Sequence, residues 1–288
     1  MTLIRKVVFP VAGLGTRMLP ATKVLPKEML PVVDKPIIQY AVEEAAAAGC
    51  ETFIFVTGRG KTIIEDHFDR AVELFEALAA KGKDDVLGGL SSDVPKPGTV
   101  IATRQQEARG LGHAVWCARQ LIGDEPFGVM LVDDLIHAET PCMAQMARAH
   151  AETGGNLVAV MEVPQEHTAR YGIVDPGRED GPLVEVKGLV EKPAPEAAPS
   201  RYAVIGRYIL DSAVFGHLDR HEVGAGGEIQ LTDAMEKLIG SQPFFGYRFA
   251  GRRFDCGDKL GYLEAIVATA LARPDLGADF AAVLDQYR

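Results

Sequence analysis

The sequence has little cysteine, no surplus of basic residues and no long apolar run, and each shortage closes off a class of protein. Its four cysteines, Cys50, Cys117, Cys142 and Cys256, are scattered without any C-x-x-C spacing. Neither a zinc site nor a disulfide framework is indicated, and reduced, mostly buried thiols in a cytoplasmic protein are expected. Thirty Lys and Arg against 40 Asp and Glu leave a formal charge of −10 over 288 residues. Nucleic acid and anionic membranes are held largely by Lys/Arg surplus, so neither is an expected partner. A phosphorylated small molecule remains open, since a few local cations suffice for it. No apolar run approaches the ~18 residues that span a bilayer. Arg5-Lys6-Val-Val-Phe9 imitates a secretory leader only faintly, because it meets Pro10 and runs into Gly13 without a small-residue cleavage site. His67, His113, His137 and His150 share no metal spacing and none neighbours a Ser or Cys nucleophile, so hydrolase-type nucleophilic chemistry has no support.

What is present is an ordinary globular balance, 47% apolar and 24% charged, in a chain long enough for one large domain or two small ones. Apolar runs at 6–12, 52–56, 99–103, 127–132 and 156–163 alternate with helix-period segments at 37–48, 62–80, 112–122 and 140–152. That alternation predicts an α/β fold, a Rossmann-like mixed, mostly parallel sheet with helices on both faces and ligands at the carboxyl ends of its strands. Beyond residue 165 the pattern changes to strands at 170–174, 183–190 and 202–210, then helices near 228–240, 258–272 and 279–287. No clean linker is visible, so residues 1–255 read as one domain and 256–288 as a C-terminal helical tail.

The first strand ends in Gly13-x-Gly15-Thr16-Arg17. Glycines after a strand let backbone N–H groups close on a phosphate, although a tight turn explains them equally. The dinucleotide fingerprint fails, because its third glycine falls at Met18. The balance shifts with Arg17, Lys23 and Lys27, spaced along a loop stiffened by Pro20, Pro26 and Pro31, which suits a triphosphate. Gly60-Lys61-Thr62 imitates the end of a Walker A loop, but Phe55 stands where its first glycine is required, so a helix start is favoured. Asp133-Asp134 follows the apolar strand 127–132. Adjacent carboxylates there suit Mg²⁺, which binds through one or two carboxylates plus phosphate oxygens, and a capping pair without metal is the alternative. Since alternate strand residues face opposite ways, one of the two is the expected ligand, and Asp133 is chosen. Glu191-Lys192 reads equally as a surface ion pair, and the glycines at 172 and 206 as close approach or bulges.

Val11-Ala-Gly-Leu-Gly-Thr-Arg-Met-Leu-Pro-Ala-Thr-Lys23, Pro26-Lys-Glu-Met-Leu-Pro31, Gly110-Leu-Gly-His-Ala114, Val190-Glu-Lys-Pro193, Gly224-Ala-Gly-Gly-Glu-Ile-Gln-Leu-Thr-Asp233 and Asp255-Cys-Gly-Asp-Lys-Leu-Gly-Tyr262 together resemble the bacterial UTP–glucose-1-phosphate uridylyltransferases, a branch of the sugar nucleotidyltransferases. The resemblance spans nearly the whole chain. It implies that the amides of Ala12 and Gly13 and the side chain of Gln105 hold uracil, that Gly112 packs against it, and that Gly15 and Glu28 belong to the same nucleotide pocket. Arg17 and Lys27 would contact the triphosphate. Asp133, and with it Asp255, would hold Mg²⁺. Gly172, Glu191 and Val204 would line the glucose pocket, and Lys192 would bind the sugar phosphate. The implied substrates are UTP and glucose 1-phosphate, and the products UDP-glucose and pyrophosphate. The apolar C-terminal helices point to a homodimer or homotetramer, though core packing explains them as well. Val132 stands where a proline is expected, and Gly227 where some relatives carry an acid. A dTTP-using transferase and a catalytically silent sugar-nucleotide-binding regulatory subunit are the alternatives.

Overall fold

The structure, a computed structural model, describes residues 4–287. Its strands are β1 (Lys6–Pro10), β2 (Pro31–Val32), β3 (Lys35–Pro36), β4 (Thr52–Thr57), β5 (Val100–Arg104), β6 (Phe127–Met130), β7 (Asp134–His137), β8 (Asn156–Glu162), β9 (Gly172–Asp180), β10 (Leu183–Glu191), β11 (Tyr202–Leu210), β12 (Phe244–Arg248) and β13 (Arg252–Asp255). Nine form one sheet in the order β5-β4-β1-β6-β11-β8-β12-β10-β9, while β2 pairs with β3 and β7 with β13. The pairs β5/β4, β4/β1, β1/β6 and β8/β12 are parallel. Because β11 is antiparallel to β6 and β8, and β10 to β12 and β9, these two strands alone run against the rest of the sheet. The sheet is mixed, with most strands in one sense, as the alternation of elements predicts.

Strand alternation sorts the apolar residues into two cores. Val7, Phe9, Phe53 and Phe55 pack on one face with the helices Ile37–Ala47 and Cys142–Thr153, and Val8, Ile54, Val56 and Val129 pack on the other with helices Leu111–Trp116 and Leu231–Glu236. Burial on both faces explains why β1 and β6 read as continuous apolar runs.

Several elements depart from the sequence expectation for identifiable reasons. The helix expected over 62–80 stops at Phe68, because Asp69 is extended (φ −84, ψ 159), and a second helix, Val72–Ala80, buries none of its residues. Of the apolar positions in this segment, Ile64 and Phe68 belong to the core, whereas Phe75 and Leu78 are only partly buried. The expected helix 112–122 is likewise two pieces, Leu111–Trp116 and Arg119–Ile122. Strand β9 runs on to Asp180 through Pro176 and Gly177, which look like a turn. Proline is tolerated there because the strand lies at the sheet edge and its pairing with β10 is irregular on both sides of Pro176. The short strands β7, β12 and β13 carry no apolar alternation, and pairing with distant partners creates them.

One buried ion pair ties the sheet to the turn after β6. Arg207 on β11, 1% exposed, donates to both carboxylate oxygens of Glu44 at 3.0 and 2.8 Å and to the carbonyls of Leu131 (2.9 Å), Gly206 (3.0 Å) and Asp134 (2.7 Å). Replacing it strands a buried carboxylate and several carbonyls. Arg207→Met is expected to lower unfolding free energy by about 3–5 kcal/mol, the usual cost of breaking a buried pair from one side. Urea denaturation checks this, and E44Q added to the same chain should restore part of the loss.

Candidate active site

Three short 3-10 turns, Thr16–Met18, Ala21–Lys23 and Lys27–Met29, give the loop after β1 its shape. Gly15 is left-handed (φ 65), a conformation glycine adopts without penalty, and a Cβ there would meet Lys27 Cβ at 3.1 Å. The hydroxyl of Thr22 donates to the Gly15 carbonyl at 2.7 Å and closes the loop on itself. Val11 N bonds Val56 O, but the amides of Ala12 and Gly13 make no hydrogen bond among the described residues and remain available to a ligand.

Lys27 points under this loop to Asp133, with Nζ 2.6 Å from Oδ2, and Arg17 Nη2 lies 3.9 Å from the same oxygen. Burial alone would raise the Asp133 carboxyl, but Lys27, a backbone hydrogen bond and Arg17 together outweigh it and hold the group below the usual aspartate range. Burial likewise opposes the Lys27 charge, and Asp133 with Glu28 overcomes that and raises its pKa. Lys23 is exposed, forms no ion pair among the described residues, and stands apart from this cluster.

Asp134 has a different task. Its Oδ2 accepts from Gly206 N at 2.8 Å and its Oδ1 from Arg253 Nε at 2.6 Å. The two carboxylates diverge because a turn follows Met130, where strand β6 ends two residues before the expected limit, and not because a strand alternates through them. Arg253 continues to Tyr171 Oη at 3.0 Å and reaches Asp255 Oδ2 at 3.6 Å, with Arg170 on that same oxygen at 3.4 Å.

Gly257 marks where these groups converge. A Cβ there would lie 2.7 Å from Asp133 Oδ2, 2.7 Å from Arg17 Nη2 and 3.2 Å from Asp255 Oδ1. Two carboxylates that border one small space beside an open cleft suit a hard divalent cation completed by phosphate oxygens. Among the described residues no cluster of three or more His, Cys, Asp or Glu is placed to hold a metal. Gly257→Ala is expected to fill that space: turnover should fall about 10-fold to 10²-fold, the scale of small misplacements at a reacting centre, while thermal stability barely changes. Steady-state rates and a thermal melt, run together, check both halves.

A cleft of about 400 Å³ opens beside this point. Its lining includes Arg17, Asp133 and Asp255 together with Gly172, Glu191, Lys192 and Val204. Glu191 accepts from Thr232 Oγ1 at 2.7 Å and meets Lys192 Nζ at 3.1 Å. Lys192 is itself in the left-handed region (φ 47), held there by its N–H to the Tyr171 carbonyl at 2.9 Å. A Cβ on Gly172 would approach Thr232 Oγ1 and Glu191 Oε2 at 3.2 and 3.3 Å, so the glycine keeps this corner open.

The remaining candidates lie around the ends of β1, β4 and β5. Glu28 is buried against Lys61 Nζ at 2.8 Å; burial raises its pKa and lowers that of Lys61, and its Oε1 has no hydrogen-bond partner among the described residues. Gln105 N bonds Thr57 O, and its side chain is buried beside His113. Gly112 leaves room for the chain itself, because a Cβ there would stand 2.8 Å from Ile229 O and 2.9 Å from the Gln230 carbonyl carbon. Residues that sequence reasoning missed are Thr232, Arg253, Tyr171 and Lys61. Thr232 lay within the Gly224–Asp233 block, and Lys61 within the Walker-like segment, where it does precede a helix, Thr62–Phe68.

Residues 6–270 match the nucleotidyl transferase family. The chain is 52% identical over 257 residues to a UTP–glucose-1-phosphate uridylyltransferase of Komagataeibacter xylinus, across 89% of this chain and 90% of that one. It resembles a UTP-bound UGPase from Acinetobacter baumannii with a TM-score of 0.92 and 40% identity, covering 99% of this chain and all of the other. A UDP-glucose pyrophosphorylase complexed with UDP-glucose gives a TM-score of 0.86 at 42% identity, covering 94% of this chain and 100% of that one.

Proposed function

The chain belongs to the nucleotidyl transferase family, and from that premise we propose that it transfers the uridylyl group of UTP to glucose 1-phosphate, giving UDP-glucose and pyrophosphate. The observation that carries this reading is the convergence on one cleft of Arg17, Asp133, with Lys27 on its carboxylate, and Glu191-Lys192.

A phosphate oxygen of glucose 1-phosphate attacks the α-phosphorus of UTP; the new P–O bond forms as the bond to the β-phosphate oxygen breaks and pyrophosphate departs. No general base is needed, because a phosphate monoester is largely ionised at neutral pH. The difficulty is bringing two polyanions together, so positioning and positive charge supply the catalysis. Lys192 neutralises and aims the sugar phosphate. Arg17 and Lys27 take the developing charge on pyrophosphate, and for this Lys27 exchanges the Asp133 carboxylate for a phosphate oxygen. Asp133, with Asp255 beside it, would hold Mg²⁺, which supplies charge compensation between phosphate oxygens when bound. Glu191, oriented by Thr232, accepts from a sugar hydroxyl, and the free amides of Ala12 and Gly13 with Gln105 hold the base.

Pyrophosphate release measured with each of the four ribonucleoside triphosphates and with dTTP, with and without glucose 1-phosphate, tests this reading. Release should require the sugar phosphate and be fastest with UTP. Equal release without it would point to hydrolysis, and a preference for dTTP to the thymidylyl reaction.

A further inference from the structure

Gln105 is a donor and an acceptor on one carboxamide, so a base that meets it reads whichever end is left over. Both hydrogens on Nε2 are used within the protein: one goes to the Gly110 carbonyl at 3.1 Å, the other to His113 Nδ1 at 3.0 Å. The Gly110 carbonyl can only accept, which sets the amide orientation and requires Nδ1 of His113 to be the unprotonated nitrogen. Oε1 accepts no hydrogen bond among the described residues and is not among their buried unpartnered atoms.

Both partners are themselves fixed. Residues 109–112 are pinned on the chain at 229, with Ile229 N to Arg109 O at 2.8 Å and Gly112 N to Ile229 O at 2.9 Å. The His113 ring lies parallel to Trp116, centroids 5.6 Å apart, with His221 edge-on at 5.7 Å. Burial, and then Arg109 and His221 facing it, lowers the imidazole pKa against the opposite pull of Glu107, so the neutral ring that Gln105 needs is the one present at neutral pH.

We propose that His113 is a positioning residue that sets base selection: with the Gly110 carbonyl it locks Gln105 so that Oε1, an acceptor, is the only end of its carboxamide offered to the base. A uracil ring answers with its N3–H donor, whereas cytosine presents an N3 lone pair and is refused. This rests on the uridylyl reading above and assigns its base selectivity to a residue that need not touch the nucleotide. Refusal through an unanswered polar group is the strong form of discrimination, stronger than shape alone.

The test compares kcat/KM for UTP and CTP, each with glucose 1-phosphate, in wild type, H113N and H113L. Asparagine places a carbonyl oxygen close to where Nδ1 sits, and leucine places nothing. The UTP:CTP ratio should fall about 10-fold or more in H113L, mainly through a higher KM for UTP, and stay within roughly 3-fold of wild type in H113N. An unchanged ratio in H113L, or a ratio in H113N as low as in H113L, overturns the proposal. If H113L melts well below wild type, H113N against H113Q decides, because the longer glutamine does not put its carbonyl at the Nδ1 position; equal ratios in those two overturn it as well. A wild-type enzyme that uses CTP as readily as UTP would instead refute the uridylyl reading itself.

Discussion

Asp133→Ala should lower turnover by about 10²–10³-fold and abolish the response to added Mg²⁺, while leaving the fold in place. The magnitude is that of losing one charge-organising group from a site where charge develops. Three features of Asp133 make it the most sensitive position. It is the carboxylate on which Lys27 rests at 2.6 Å, it borders the space next to Gly257, and it opens onto the cleft. Its neighbour Asp134 provides the control. That side chain is consumed by Gly206 N and Arg253, so Asp134→Asn should register first as lost thermal stability. Rates over a Mg²⁺ titration for both variants decide between them; wild-type metal dependence in Asp133→Ala would move the metal elsewhere.

Lys192→Ala should act on the other substrate. Its ammonium rests on Glu191 in the lining of the cleft that Arg17 and Asp133 also border, so its removal should raise the KM for glucose 1-phosphate and lower kcat, together costing about 10²–10³-fold in kcat/KM. The KM for UTP should move by only a few-fold. Lys192→Arg should not restore the rate, since a planar guanidinium does not reproduce a compact ammonium placed by a left-handed backbone. Initial-rate measurements with each substrate varied in turn provide the check. Equal Michaelis constants in wild type and variant would detach Lys192 from the sugar phosphate.

Much of this site is legible in the chain because it sits where strands end. β1 and β6 are buried on both faces, so their apolar runs stand out, and the Gly-rich loop and Asp133 follow directly after them. The supporting layer is far less legible. Arg207 and Arg253 meet the Asp133-Asp134 turn only through pairings of distant strands, Glu44 reaches Arg207 from the helix Ile37–Ala47, and no local period marks them. Thr232 is similar: its role depends on reaching Glu191, 41 positions away. Lys61 shows the opposite difficulty. Its Gly-Lys-Thr context imitates a phosphate loop and reads as the helix start that it is, but nothing in it announces that the side chain is spent on the buried Glu28 carboxylate. The helix Val72–Ala80 has the apolar spacing of a core helix but buries nothing, since an extended Asp69 separates it from the helix Thr62–Phe68.

The most direct test of the account follows the phosphorus atoms themselves. Purified protein with UTP, glucose 1-phosphate and Mg²⁺, observed by ³¹P NMR, should convert the two substrates into UDP-glucose and pyrophosphate in equal amounts, with no signal for UDP or inorganic phosphate. Appearance of UDP with inorganic phosphate, or consumption of UTP while glucose 1-phosphate stays intact, would contradict it.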